Sequence, residues 1–297
     1  MKLKLLLLIL ISSASIAMQK EDDPQAPIHQ EWNANKFHRA TKPSLPLAKQ
    51  WLQRLTFGKI TSVVDVGCGP GALTAFIAKK APHAQVIGID PSDTMIRLAC
   101  VLNGKHKNLH FMQEDMSTTA LNGPIDLFFS CNAIHLLPKE KQKEALKAMA
   151  RLSNQNNGLL FAIMAAKTSK PSVFEKAYAA TISQGKWKKL QTINLDDYFQ
   201  PHNEHTFAEL ARDTGFNICN AYIVDEYIIF KNVNKLKKFI TSWMGGFGFI
   251  AALPKNEQKQ LIEAILKEYI KEVQIEYDGS IEWKSPRLVV LAERSKN

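Results

Sequence analysis

Apolar residues recur at helical spacing between Pro43 and Leu55, where Leu45, Leu47, Ala48, Trp51, Leu52 and Leu55 share one face. The period then changes. Ser62-Val63-Val64-Asp65-Val66 is a short β-branched run that predicts a buried strand. A glycine-rich stretch over 67–71 breaks it, and Leu73, Phe76, Ile77 and Ala81 then mark one face of a helix. Val86-Ile87-Gly88-Ile89 predicts a second strand, closed by Asp90, and Ser92 is placed to cap a helix carrying Met95, Ile96, Ala99 and Leu102. Leu109-His110-Phe111-Met112 and Ile125-Asp126-Leu127-Phe128-Phe129 read as third and fourth strands. A helix over 139–152 leads to a fifth strand over 159–165. Strands alternating with helices of this length imply βαβ units and a parallel sheet.

Beyond residue 170 the alternation loosens. Residues 171–184 predict a helix, 218–230 a strand rich in Ile, Val and Tyr, and 233–243 and 255–273 further helices. Arg287-Leu288-Val289-Val290-Leu291 predicts the last strand. The helices between the last two strands, over about 231–286, are expected to form a cap over a substrate. Residues 18–35 are polar and predict no regular element.

The start of the chain has a pattern of its own. Lys2 and Lys4 precede an unbroken apolar run, Leu5 to Ile11, and Ser15-Ile16-Ala17 fits a small-x-small cleavage site. This is the layout of a secretory signal peptide over residues 1–17, with the run too short to span a bilayer. The expectation is an exported chain beginning at Met18. Translation starting at Met18 is the alternative, and it leaves the protein in the cytoplasm. No later stretch is apolar for long enough to be a transmembrane span. With 297 residues, 45% of them hydrophobic, the remainder suffices for one domain with a helical annex. The formal net charge of +10 lies largely in scattered lysines, which fits a solvated surface or attraction to an anionic partner. The four cysteines Cys68, Cys100, Cys131 and Cys219 require no disulfide, and no cluster predicts a metal site.

The strongest chemical signal is Asp65-Val66-Gly67-Cys68-Gly69-Pro70-Gly71, set between a strand and a helix. Glycines there let backbone approach a ligand without a Cβ in the way, and the following helix offers free N–H groups to an anion. The spacing is Gly-x-Gly-x-Gly, not the Gly-x-Gly-x-x-Gly of dinucleotide folds, and an acid precedes it by two residues. Asp90 ends the second strand, where a carboxylate can accept both hydroxyls of a ribose. Asp115 follows the third strand.

Together these residues resemble the class I S-adenosylmethionine (SAM)-dependent methyltransferases. The match runs over 62–166, through the Gly-rich loop, Gly88-Ile89-Asp90-Pro91-Ser92, Gln113-Glu114-Asp115-Met116 and Asp126-Leu127-Phe128-Phe129-Ser130-Cys131-Asn132. The resemblance implies an α/β fold, a Rossmann-like sheet that is mostly parallel with an antiparallel last strand, and SAM as cofactor. It implies that Asp65 takes the amino group of the methionine moiety, that Gly67, Cys68, Gly69 and Gly71 cradle it, and that Asp90 and Pro91 hold the ribose. Asp115 would take the adenine amino group, with the backbone of Met116 beside it. Met95 packs either on the adenine or in the core. Asn132 belongs to the turn facing the methyl group, as do Ser130 to His135. His135 is the candidate catalytic and acceptor-binding side chain; a loop histidine packed on the cap is its alternative. Trp32 and His38 precede the first helix, where members of the family close over SAM.

Farther along, Pro171-Ser172, Gly185-Lys186-Trp187, Gly215-Phe216, Trp243-Met244-Gly245-Gly246 and Pro286-Arg287-Leu288-Val289-Val290 fall in the order of the trans-aconitate methyltransferase-like enzymes. Juvenile hormone acid methyltransferases and the malonyl-carrier-protein methyltransferases are similar in less detail. That resemblance implies O-methylation of a small carboxylic acid, with Arg287 as the cation that holds it. The alternatives are a methyltransferase acting on RNA or protein, an NAD-dependent oxidoreductase, and a non-catalytic SAM-binding protein. The Asp/Asn-Pro-Pro-aromatic signature of DNA amino-methylating enzymes is not met by Ser130-Cys131-Asn132-Ala133, so DNA is not expected as a partner.

Overall fold

The computed structural model describes residues 33–193 and 199–296. The proposed leader over 1–17 and Trp32 lie outside them. Seven strands form one sheet in the order β3-β2-β1-β4-β5-β7-β6. They are β1 (Ser62–Val66), β2 (Gln85–Asp90), β3 (Leu109–Gln113), β4 (Leu127–Cys131), β5 (Leu159–Ala165), β6 (Phe216–Phe230) and β7 (Ile281–Arg294). The first five pair in parallel, and β7 runs antiparallel to both β5 and β6. This is the Rossmann-like methyltransferase arrangement, with its antiparallel last strand.

The helices are α1 (Ala34–Thr41), α2 (Leu45–Leu52), α3 (Ala72–Lys80), α4 (Asp93–Asn103), α5 (Lys139–Leu152), α6 (Val173–Ile182), α7 (Glu204–Thr214), α8 (Val233–Met244), α9 (Gly248–Ala251) and α10 (Lys255–Glu272). One face of the sheet packs on α5 and α7 through Phe128, Leu146, Met149, Phe207 and Phe216. The other packs on α2 and α3 through Leu52, Ile77, Phe129 and Phe161. A third cluster joins α6, α8 and α10 to the far end of the β6–β7 ribbon, where Trp283 stacks on Tyr269 with centroids 5.2 Å apart.

Four local features differ from the sequence expectation, each for a stated reason. Helix α1 occupies part of the segment read as irregular. Asn33 caps it by accepting from the N–H of Lys36, and Ala34, Phe37, His38 and Thr41 recur at its period. His38 therefore sits inside the first helix and not before it. Helix α7 has few apolar residues, but Asn203 and Thr206 cap it reciprocally and Gly215 ends it. Strand β4 starts two residues late, because Asp126 is committed elsewhere. Its carboxylate accepts from the N–H and hydroxyl of Thr61 and from the amide of Asn154. Strand β7 begins at Ile281, so the helical insert between β6 and β7 ends before residue 286. The helical layer also takes in α6, which lies upstream of β6.

Candidate functional site

A cavity of about 580 Å³ opens at the carboxyl ends of β1, β2, β3 and β4. The sheet order reverses between β1 and β4, which is where open α/β sheets bind ligands. The loop after β1 forms its floor. Gly67 has φ +72°, and a Cβ there would lie 2.2 Å from the Cβ of Ala133, so the turn after β4 closes directly on this glycine. Gly71 has φ +77°, with the ring of Phe111 2.5 Å from the position of any Cβ. Both positions demand glycine.

Asp90 ties the floor to β2. One carboxylate oxygen accepts from the N–H of Gly69 and the other from the N–H of Ser92, both at 2.9 Å. Burial raises its pKa against these bonds. Pro91, Met95, Asp115 and Met116 line the same end of the cavity, and Met95 and Met116 are nearly buried as well. Asp115 accepts from the backbone and hydroxyl of Ser117 and lies 3.6 Å from the ammonium of Lys141. Cys68 and Cys131 are wall residues, and burial pushes the Cys131 thiol up to about 12. Neither is a nucleophile at neutral pH.

Asp65 lies beneath this surface. It is 2% exposed, does not line the cavity, and accepts from the hydroxyl of Thr74 at 2.6 Å. Burial raises its pKa to about 7, opposed by the Thr74 bond and reinforced by Asp90. It is built to lock β1 to α3. A methionine amino group in the cavity would meet it only across the loop.

The other end of the cavity is framed by α1, α2, the turn after β4 and the cap. Asn132 holds a left-handed φ of +59° and lines the wall beside Ala133, Leu136 and Leu137. Phe37, Thr41 and Leu45 close one side, and Gly246 and Phe247 the other. Sequence reasoning brought Asn132 and His38 to this half but missed Phe37, Thr41, Leu45 and Phe247. Their signals were the α1 periodicity and the aromatic residue directly after Trp243-Met244-Gly245-Gly246. His38 lines the cavity, with its pKa lowered by burial and by the nearby cations Lys42 and Arg39.

Two expected residues stand elsewhere. His135 is 4% exposed in the turn after β4 but does not line the cavity. It meets Phe199 edge-on at 5.1 Å, and burial, with Arg287 and His202, drives its pKa down to about 3. The apolar layer around the ring disfavours the imidazolium, and the ring does not reach the cavity wall. Arg287 also stays out of the lining. Its register opposite Ala165 puts it at the expected edge. There it is consumed by a 2.5 Å ion pair with buried Glu226 and a 3.0 Å bond to the side-chain oxygen of Asn132. Among the described residues no lysine or arginine lines the cavity, whose charged walls are Asp90, Asp93, Glu114 and Asp115.

The residues fit SAM. Glycine positions that no Cβ could share, an acid at the end of β2 and a cavity within the usual size range for ligands suit a nucleoside joined to an amino acid.

Comparison with known proteins agrees with this geometry. Residues 63–156 match the family model described as a methyltransferase domain. A trans-aconitate 2-methyltransferase of Azoarcus sp. is 31% identical over 107 residues, 36% of this chain and 41% of that protein. One from Enterobacter sp. is 22% identical over 271 residues, 89% of this chain and 98% of that protein. A malonyl-acyl-carrier-protein O-methyltransferase of Legionella pneumophila is 27% identical over 141 residues, 46% of this chain and 49% of that protein. The chain thus spans less than half the length of the first and third of these relatives. A Bacillus halodurans protein assigned as a methyltransferase shares the fold, with a TM-score of 0.53 at 14% identity, covering 84% of this chain and 98% of that one. An O-methyltransferase from a Brevibacillus brevis multienzyme, solved with S-adenosyl-L-homocysteine, gives 0.50 at 13% identity, covering 88% and 79%.

Proposed function

We propose that this chain is a class I SAM-dependent methyltransferase that transfers a methyl group to one oxygen of a small carboxylic acid, a reading its fold and its partial family match support. Bound SAM supplies a methyl group on a sulfonium, open to in-line displacement by an oxygen lone pair. Asp90 and the Gly67–Gly71 loop hold the nucleoside and amino-acid portions. The turn at Asn132 and Ala133 faces the reacting end, and α1 with Phe247 excludes water from it. Alignment and dryness are the whole contribution such a reaction needs.

The carboxylate is favoured by one observation: among the described residues the cavity wall offers a single imidazole and no lysine or tyrosine to take a proton. Among the described residues His38 is the only imidazole in the wall, and burial with the neighbouring cations Lys42 and Arg39 lowers its pKa. A phenol or alcohol would need its proton removed. A carboxylic acid titrates near pH ~4 and arrives as the nucleophilic anion. The relatives named as trans-aconitate and malonyl-carrier-protein methyltransferases point the same way. The test is SAM consumption by the purified protein with carboxylic acids, phenols, carrier-protein thioesters and RNA, each product identified by mass. Turnover of phenols or RNA alone would overturn the carboxylate reading. We also propose export through residues 1–17. Mass spectrometry of the native N-terminus with cell fractionation tests it, and a full-length or Met18-initiated chain found only in the cytoplasm would refute it.

A further inference from the structure

We infer that the acceptor is an apolar acid carrying a single carboxylate, held by the amide of Asn132 in place of a cation, and not a compact polycarboxylate. The inference rests on the methyltransferase reading above. It starts from what walls the acceptor end: Phe37, Leu45, Leu136, Leu137 and Phe247. Phe247 belongs to the aromatic core of the cap, with its centroid 5.8 Å from that of Trp243 and 5.9 Å from that of Phe249. An apolar body entering here extends an existing apolar surface.

The charges exclude the polycarboxylate. Every ionised wall residue is an acid, and among the described residues no lysine or arginine faces the space. Arg287, the cation expected at this edge, is already paired with Glu226. A second and third carboxylate would be stripped of water with no lysine or arginine among the described lining residues to pair with. One carboxylate does have a partner. Arginine can only donate, so the oxygen of Asn132 must be the atom facing Arg287, and its NH₂ must point elsewhere. Among the described residues no group accepts from that NH₂, and Asn132 lines the cavity. The chain Glu226–Arg287–Asn132 thus fixes and polarises a neutral donor beside the reacting end. Asn132 binds the acceptor in this scheme, and Arg287 positions it.

The test uses full-length protein saturated with S-adenosyl-L-homocysteine, titrated calorimetrically with octanoate, 1-naphthoate, citrate and trans-aconitate. The monoacids should bind at least tenfold more tightly than the tricarboxylates. Phe247→Ala and Leu45→Asn should each weaken 1-naphthoate at least fivefold, with homocysteine-conjugate affinity held within twofold. The two variants sit in different elements, so misfolding of one leaves the other to decide. Arg287→Lys, which cannot present the same planar fork, should raise the monoacid KM more than it lowers kcat. Tighter binding of the tricarboxylates, or no binding of either class, overturns the inference and leaves the methyltransferase reading standing. Failure to bind S-adenosyl-L-homocysteine overturns both.

Discussion

The carboxylate of Asp90 accepts the backbone N–H of Gly69 at 2.9 Å, so the end of the second strand holds the loop that follows the first. One residue thereby shapes the cavity floor and presents the acid that a ribose would meet. Replacing it removes both functions. Asp90→Ala should weaken SAM binding more than tenfold by calorimetry, while Asp90→Asn, which keeps an oxygen for Gly69, should lose less. Equal losses in the two variants would mean that the loop contact carries no part of the binding.

Gly67 gives a sharper steric test. An alanine there must adopt φ +72° and place its Cβ on that of Ala133. The backbone strain alone costs about 1–2 kcal/mol, and the overlap adds to it. Gly67→Ala should lower the thermal midpoint and abolish SAM binding. Ala133→Gly in the same chain should recover much of the stability, because it removes the overlapping atom and leaves only the strain. No recovery would place the damage elsewhere in the loop.

Arg287 and Glu226 are predicted to behave as a unit. Breaking a buried pair leaves one charge uncompensated, so Arg287→Ala should cost about 3 kcal/mol or more in chemical denaturation. The double variant Arg287→Met with Glu226→Gln should recover most of that loss, yet still fail to orient Asn132. Stability and acceptor KM should therefore separate in the double variant, and a variant that regains both would remove Arg287 from the site.

The parts of the molecule legible in the sequence are those where periodicity and chemistry coincide. Strands β1, β2 and β5 and helix α5 fall close to where their apolar runs put them because those runs are buried in the core, and edge strand β3 does so with only Leu109 buried. The turn 67–71 was legible because only glycine fits it. What escaped depends on contacts between distant segments. No local pattern tells that Glu226, 61 residues before Arg287, neutralises it. Nor does the turn after β4 reveal that His135 rotates into an apolar layer beside Phe199. Asn132 and His38 were named from the sequence, but Phe37, Leu45 and Phe247 escaped because this end is assembled from α1, α2, the turn after β4 and the cap, pieces with no shared motif.

Asp65 yields the last prediction, since its cost to the fold changes with pH. Burial raises its pKa to about 7 in the ligand-free protein, against about 4 in an unfolded chain. The folded state therefore binds a proton that the unfolded state has already released. The stability this group contributes is complete below pH ~4, falls as pH rises, and is gone above the folded value of about 7. Its slope is about 1.4 kcal/mol per pH unit within that window. Buried His135 and half-buried His202 act oppositely. His135, near pKa 3, and His202, near 4, stay neutral when folded, so protonation of the unfolded chain costs stability as pH falls below about 6.5. Wild-type stability alone would mix these effects. The difference between wild type and Asp65→Asn cancels the groups that do not interact with Asp65, the two histidines among them, and asparagine keeps an oxygen for the hydroxyl of Thr74. Urea denaturation at pH 5 and pH 8 should show Asp65→Asn gaining on wild type as pH rises, with the gain levelling off above about pH 7. A difference that is flat between the two pH values would mean that the carboxylate is already ionised at pH 5 and finds its counter-charge within the fold.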